Sequence, residues 1–310
     1  MNGTYFPEGI IISDNENRTA FSCLSSLRDA ALRGTVLEAV AAKCDRDHAL
    51  HVDLGIMQGI IPKNEGAIGI EDGSVRDIAL ISRVGKPVCF VVTEIKKNAD
   101  GKLYAVLSRR KAQEKCRREY IDALLPGDVI TARVTRTESF GVFCDIGCGI
   151  PALIPIDAVS VSRIPHPSAR FFNGQIIKAI IKSRDGNGRI TLTHKELLGT
   201  WKENAAKISV GETVPGIVRS VESYGIFVEL APNLAGLAEY DPDIKEGQSA
   251  AVFIKSIIPE KMKIKLVIVD KGEPRPPEYV RDYFFRESHM TYFRYSPPEC
   301  DKVVETVFGI

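Results

Sequence analysis

One run of residues occurs twice in this chain, and the repetition constrains the fold more than any other feature. Ser139-Phe140-Gly141-Val142-Phe143-Cys144-Asp145-Ile146-Gly147 returns as Ser223-Tyr224-Gly225-Ile226-Phe227-Val228-Glu229-Leu230. In both copies two aromatics flank a glycine and an apolar residue. Strand residues three apart point to opposite faces, so the two rings share a surface only where the pleat is broken. A glycine inside a strand often marks a bulge, and Gly141 is the candidate for that break. The register extends outward from the rings. Pro126-Gly127-Asp128-Val129, Thr135 and Arg136 correspond to Val210-Gly211-Glu212-Thr213, Arg219 and Ser220. Downstream, Pro151-Ala152-Leu153-Ile154 matches Ala235-Gly236-Leu237-Ala238, and Gly174-Gln175 matches Gly247-Gln248. Each copy then closes on an apolar strand, Arg189-Ile190-Thr191-Leu192 and Lys263-Ile264-Lys265-Leu266. Short strands separated by turn signals describe a small closed β unit, not a helical repeat.

This order of glycine, strand, aromatic-Gly-apolar-Phe, strand, Gly-Gln and Arg-Ile-x-Leu resembles the S-one-type RNA-binding repeat. The resemblance implies a mainly β chain of three tandem five-stranded OB-fold barrels, joined by short helices and followed by an aromatic C-terminal extension. The expected organisation is an N-terminal arm and short helix (1–33), a divergent first repeat (34–110) and a basic linker helix (111–125). A second repeat (126–197), a linker helix (198–209), a third repeat (210–271) and a Pro-rich linker with an aromatic tail (272–310) follow. The helical spacing of Phe21, Leu24, Leu27 or Ala31, and Ala30 predicts one helix over 19–32, ending at Gly34.

Composition narrows the class further. The 41 Lys and Arg against 40 Asp and Glu give a nearly neutral protein, so nucleic-acid binding has to rest on local surfaces. The 7 cysteines contain no CxxC pair, no N-terminal stretch reads as a signal peptide, and no apolar run approaches the ~18 residues of a membrane span. A reduced, cytoplasmic protein without a membrane partner is expected. Walker and dinucleotide loops are absent, as is any His/Cys/acid set at metal-ligand spacing. The expectation is therefore a non-enzyme with no cofactor and no metal.

The second repeat carries the strongest site. Phe140 and Phe143 offer stacking faces, and Arg133, Arg136, Arg170, Lys178, Lys182 and Arg189 supply positive charge nearby. The resemblance implies two aromatics working with a loop histidine and an Asp and Arg near the last strand. Asp185 and Arg189 occupy the latter positions. Pro155 stands where the histidine would be, and His166, in the loop before Phe171-Phe172, is the candidate substitute. In the third repeat Tyr224, Phe227, Arg219 and Lys263 match the platform, with Glu239 at the histidine position and Pro259 at the aspartate position. Glu212, Glu222, Glu229, Asp241, Asp243 and Glu246 make that repeat acidic, which predicts weaker RNA affinity. In the first repeat, His48 and His51 fall at the aromatic positions, and both base stacking and plain surface placement remain open. The cluster Arg109-Arg110-Lys111, Lys115 and Arg117-Arg118 reads equally as a phosphate-facing helix or a solvated linker. Trp201 is expected to pack between barrels, and the aromatic tail to fold back on the third.

The function expected from the resemblance is binding of single-stranded RNA, with mRNA in translation at the small ribosomal subunit as the expected target. The alternatives are a protein-interaction scaffold of a ribosomal or RNA-degradation complex, and a stand-alone regulator binding RNA or single-stranded DNA. A protein partner through the first repeat or the tail also remains open.

Overall fold

The computed structural model describes residues 5–274 and 283–309. Arg275, Pro276 and Pro277 of the expected stiff linker, and Tyr279 of the aromatic tail, lie outside the described residues. The chain forms two compact units: Met1–Leu124 with Asp145–Pro151, and Leu125–Cys144 with Ala152–Ile310.

In the first unit the single helix expected over 19–32 is two, α1 (Asn15–Ala20) and α2 (Leu24–Arg33). The break has a local cause. Cys23 is extended, and its sulfur accepts the Ser26 N–H as an N-cap, which restarts the helix after Phe21-Ser22. Gly34, at φ 59°, ends α2 in the left-handed conformation that a glycine adopts without penalty. Five strands follow: β1 (Leu37–Cys44), β2 (Leu50–Asp53), β3 (Gln58–Ile61), β4 (Pro87–Lys97) and β5 (Leu103–Ser108). They close in the order β1-β2-β3-β5-β4, with β3 and β5 parallel, around Leu37, Leu50, Val52, Ile61, Val88, Phe90 and Leu107. A single helical turn, α3 (Ile78–Ile81), lies in the long β3–β4 connection, and α4 (Arg109–Glu119) follows β5.

Helix α4 commits part of the basic cluster to structure. Arg109 is buried and gives two hydrogen bonds to Glu8 of the N-terminal arm, at 2.7 and 3.0 Å. Arg110 pairs with Glu65 and Glu114, and Lys115 donates to the Gly34 carbonyl. Three of the six cations are therefore spent inside the unit, while Lys111, Arg117 and Arg118 are exposed. The arm is fastened at the same point, since the Glu8 N–H donates to Asp145 at 2.7 Å and the Tyr5 hydroxyl bonds Glu119.

The second unit holds two more barrels. The first of them runs β6 (Val129–Glu138), β7 (Gly141–Asp145), β8 (Pro151–Pro155), β9 (Ile176–Arg184) and β10 (Ile190–Thr193). The next runs β11 (Thr213–Glu222), β12 (Gly225–Ala231), β13 (Leu234–Ala238), β14 (Gln248–Ile258) and β15 (Lys263–Pro274). Both close with the third strand parallel to the fifth, so the protein carries three tandem five-stranded OB-fold barrels. Alternation is visible along β6, where Ile130, Ala132 and Val134 are buried and their neighbours are not.

Between these barrels the helix expected over 198–209 is only α5 (Trp201–Ala205), started by a capping box of Thr200 and Glu203. Gly199, at φ 83°, separates it from a 3-10 turn at Lys195–Leu198. Trp201 is buried in the core of the last barrel, and the tail joins the same core through Met290, Phe293, Tyr295 and Phe308. Two tail strands, β16 (Tyr292–Arg294) and β17 (Glu305–Val307), pair as a hairpin.

Two buried polar assemblies tie the unit together. The Glu229 carboxylate, 6% exposed, takes two bonds from Arg219 at 2.8 and 3.0 Å and a third from Arg170, itself 1% exposed. Asn233 accepts the Val161 N–H and donates to the Lys195 and Gly199 carbonyls, while its own carbonyl accepts the Tyr295 hydroxyl. Arg170 was expected among the surface cations of the second repeat and Glu229 among the surface acids of the third. Both are corrected to buried partners, because neither charge can be desolvated without the other. Removing one partner strands the rest. Glu229→Ala is expected to destabilise this unit by about 3–5 kcal/mol in urea unfolding, and more than Glu222→Ala, whose side chain is exposed.

His194, by contrast, is a titratable group buried without charge. His194 donates from Nδ1 to the Val159 carbonyl at 3.0 Å, which leaves Nε2 as the acceptor facing the Tyr283 hydroxyl at 3.4 Å. Burial, followed by the charge of Arg170, lowers its pKa from 6.5 to about 4. The unfolded chain therefore binds the extra proton between these values. Stability is complete above pH 6.5 and falls by about 3 kcal/mol on descent towards pH 4. His194→Gln should flatten that part of the melting temperature against pH curve.

Candidate nucleic-acid interface

The rings of Phe140 and Phe143 meet edge to face at 5.9 Å and 87°, and Phe140 is 54% exposed. Tyr224 and Phe227 repeat the arrangement at 6.2 Å and 86°, with Tyr224 68% exposed. Each pair thus presents adjoining aromatic surface to solvent on the outside of its barrel. The way the first ring reaches the second differs from the expectation. Phe140 and Tyr224 lie in the two-residue turns of the β6–β7 and β11–β12 hairpins, so the turn, not a bulge at the glycine, lifts them over the next outward side chain. In the third barrel the register shift falls on the opposite strand, between Val218 and Ser220.

The glycine has a different task. A Cβ on Gly141 would lie 2.4 Å from the Ile154 carbonyl, and one on Gly225 would lie 2.6 Å from the Ala238 carbonyl. Glycine is required because the third strand crosses the hairpin too closely for a side chain. The Phe140 carbonyl also accepts the Ile156 N–H at 3.0 Å, which fixes the ring's backbone to the segment after β8. Around Phe227 the pairing aligns Ser220, Leu237 and Lys265 across one row of the barrel surface. Lys265 is exposed beside the aromatic pair, and the sequence reading did not single it out. The signal was present, since Lys263 and Lys265 flank the buried Ile264 with strand periodicity.

The remaining candidates separate. Arg189 is exposed at the start of β10, and its N–H donates to Asp185 at 2.8 Å. The same Asp185 oxygen accepts the Asn187 N–H at 2.9 Å, so this carboxylate folds the β9–β10 turn. Arg136 is exposed but paired with Glu138. Arg219 belongs to the buried Glu229 assembly and is not a free cation of the platform. His166 Nδ1 is held by the Ser168 hydroxyl at 2.8 Å and the Ser168 N–H at 3.1 Å, within its own loop. Lys178 bonds Thr131 at 3.0 Å, and Thr131 sits four residues before Thr135, whose hydroxyl reaches the Phe143 carbonyl. Lys178 is therefore displaced from the rings by about 13 Å along the strand. Lys263 is exposed at the start of β15. Phe171 is buried and Phe172 exposed.

The first barrel has no aromatic pair at these positions. His51 bonds Asp45 at 2.8 Å and His48 lies 3.3 Å from Asp77, so both histidines are surface groups with carboxylate neighbours. Among the described residues no cluster of three or more His, Cys, Asp or Glu is placed to hold a metal ion, and no helix is long and apolar enough to cross a membrane.

Comparison with known proteins adds to this geometry. Residues 125–195 match the S1 RNA binding domain. The small ribosomal subunit protein bS1 homolog of Bacillus subtilis is 29% identical over 272 residues, covering 82% of this chain and 69% of that protein. The small ribosomal subunit protein bS1 of Mycolicibacterium smegmatis is 27% identical over 269 residues, covering 81% of this chain and 53% of that protein. Against some of its curated relatives the chain thus spans only about half their length. A solved Streptococcus pneumoniae multidomain protein with nucleic acid binding domains overlays 76% of this chain and 74% of its own, at 15% identity and a TM-score of 0.25, too loosely to carry an argument. The second barrel thus matches the S1 RNA binding domain, and the chain is similar over most of its length to the bacterial small ribosomal subunit protein bS1.

Proposed function

We propose that this chain holds single-stranded RNA, mRNA during translation at the small ribosomal subunit, by stacking bases on Phe140 and Phe143 and more weakly on Tyr224 and Phe227. The observation that carries the reading is the repeated, solvent-facing, edge-to-face aromatic pair. Apolar rings of this size are normally buried, and exposing them costs favourable burial that a stacked base returns. In this reading the exposed Arg189, before β10, and the exposed Lys263 and Lys265 of β15, the latter in register with Phe227, supply phosphate contacts. The homology to bS1 supports the ribosomal setting, and with it a cytoplasmic one. It also supports a binding protein in preference to an enzyme.

The first barrel, with histidine-carboxylate pairs where the others have rings, is assigned to docking on a protein partner. Asp185 and Arg136 act in this reading through the shape of the hairpin ends, and His166 through the loop it caps. The third barrel is less acidic outside than its composition implied, since Glu229 is internal and Asp241 is paired with Lys271 at 2.8 Å.

The test is titration of a fluorescent, unstructured 20-nucleotide RNA across a salt series. Wild-type log K is expected to fall by about 0.7 per phosphate neutralised for each decade of salt. Phe140→Ala/Phe143→Ala should lose on the order of 2 kcal/mol or more, and Tyr224→Ala/Phe227→Ala less. Equal binding by the first double variant and wild type would refute stacking on the second barrel.

A further inference from the structure

The tail builds a second aromatic and cationic surface that belongs to no repeat. After the described chain resumes at Tyr283, the segment runs along the edge of the second barrel where β6 pairs with β9. It is pinned there by the Val129 N–H on the Ser288 carbonyl at 2.9 Å and by His289 on Asp128 at 2.7 Å. Between segment and barrel lies a cleft of about 430 Å³, lined by Val129, Lys178, Tyr283, Phe285, Arg286, Glu287 and Ser288.

The lining combines the groups that a nucleotide needs. Tyr283 and Phe285 alternate along the segment and are half-buried, so each ring is held with part of its surface in the cleft. Tyr283 is fixed at its hydroxyl, which accepts the Lys178 N–H at 3.1 Å and faces His194. Lys178 and Arg286 are exposed at the same cleft, and neither meets a carboxylate among the described residues. Thr131, which holds the Lys178 ammonium at 3.0 Å, is neutral and leaves its charge uncompensated. Glu287 is the one carboxylate among the lining residues, and as an acceptor it suits ribose hydroxyls better than phosphate.

We propose that this cleft is a nucleotide site, with Lys178 and Arg286 on the phosphate and the rings of Tyr283 and Phe285 against the base. Planar guanidinium and point-charge ammonium together match a phosphate monoanion or dianion, and stacking tolerates any base. The nucleotide has two sources, a free mononucleotide or one unit of an RNA strand. The site lies about 13 Å along β6 from the Phe140 and Phe143 platform, and its occupancy does not depend on those rings.

Methyl-labelled protein provides the test, because the Val129 methyls line the cleft and report on it directly. Uridine 5′-monophosphate is expected to shift the Val129 signals in wild type and equally in Phe140→Ala/Phe143→Ala. Lys178→Glu/Arg286→Glu, both at exposed positions, should raise the dissociation constant at least tenfold, and unphosphorylated uridine should bind at least tenfold more weakly. If the monophosphate leaves Val129 unmoved while hexauridylate shifts it in a Lys178- and Arg286-dependent manner, the occupant is a unit of the RNA strand. If neither probe moves Val129, or the charge reversals leave the shifts unchanged, the site is refuted. Loss of RNA binding on the platform variant alone would bear only on the stacking function.

Discussion

Closure of each sheet on itself is the constraint from which everything else follows. The third strand turns to run parallel to the fifth, and once that contact forms, no edge remains exposed along the barrel wall. A closed five-stranded wall leaves a narrow interior, so small and branched residues such as Ala132, Val142, Ile154 and Ala179 fill it. The tight crossing of the third strand over the hairpin, which demands Gly141 and Gly225, belongs to the same closure.

The repeat made much of the architecture legible. Periodic strands, turn glycines and the recurring aromatic-Gly-apolar-Phe run were enough to expect three barrels and to place both ring pairs. The differences between sequence and structure share a physical origin. Arg170, Arg219 and Glu229 looked like surface charge because composition cannot show that three distant residues neutralise one another in the interior. Lys178 is close in register to the other cations but lies farther along the strand, next to a tail whose course no repeat could predict. Asp185 matched a site position and serves a turn, a role that local sequence also accommodates. Helix lengths failed where single residues intervened, Cys23 as a cap and Gly199 as a break.

The three barrels show how one backbone diverges by its outer residues alone. At equivalent points on the second strand stand His51, Phe143 and Phe227. The histidine is tied to Asp45, whereas the phenylalanines meet a second ring carried by the adjoining turn. None of these exchanges touches the core, so stability and surface chemistry can change independently.

The buried Arg170, Glu229 and Arg219 assembly and the Asn233 network join the last two barrels without a free hinge. Tandem modules on flexible tethers search for a second contact through many separations, at an entropic cost that grows with the tether. Here the two aromatic pairs are set at one separation. If the pairs stack bases as proposed, a polymer lying across both must arrive with a matching contour length between stacked bases, and the two pairs would then act as a gauge that favours extended, unpaired strand over any folded segment of the same composition.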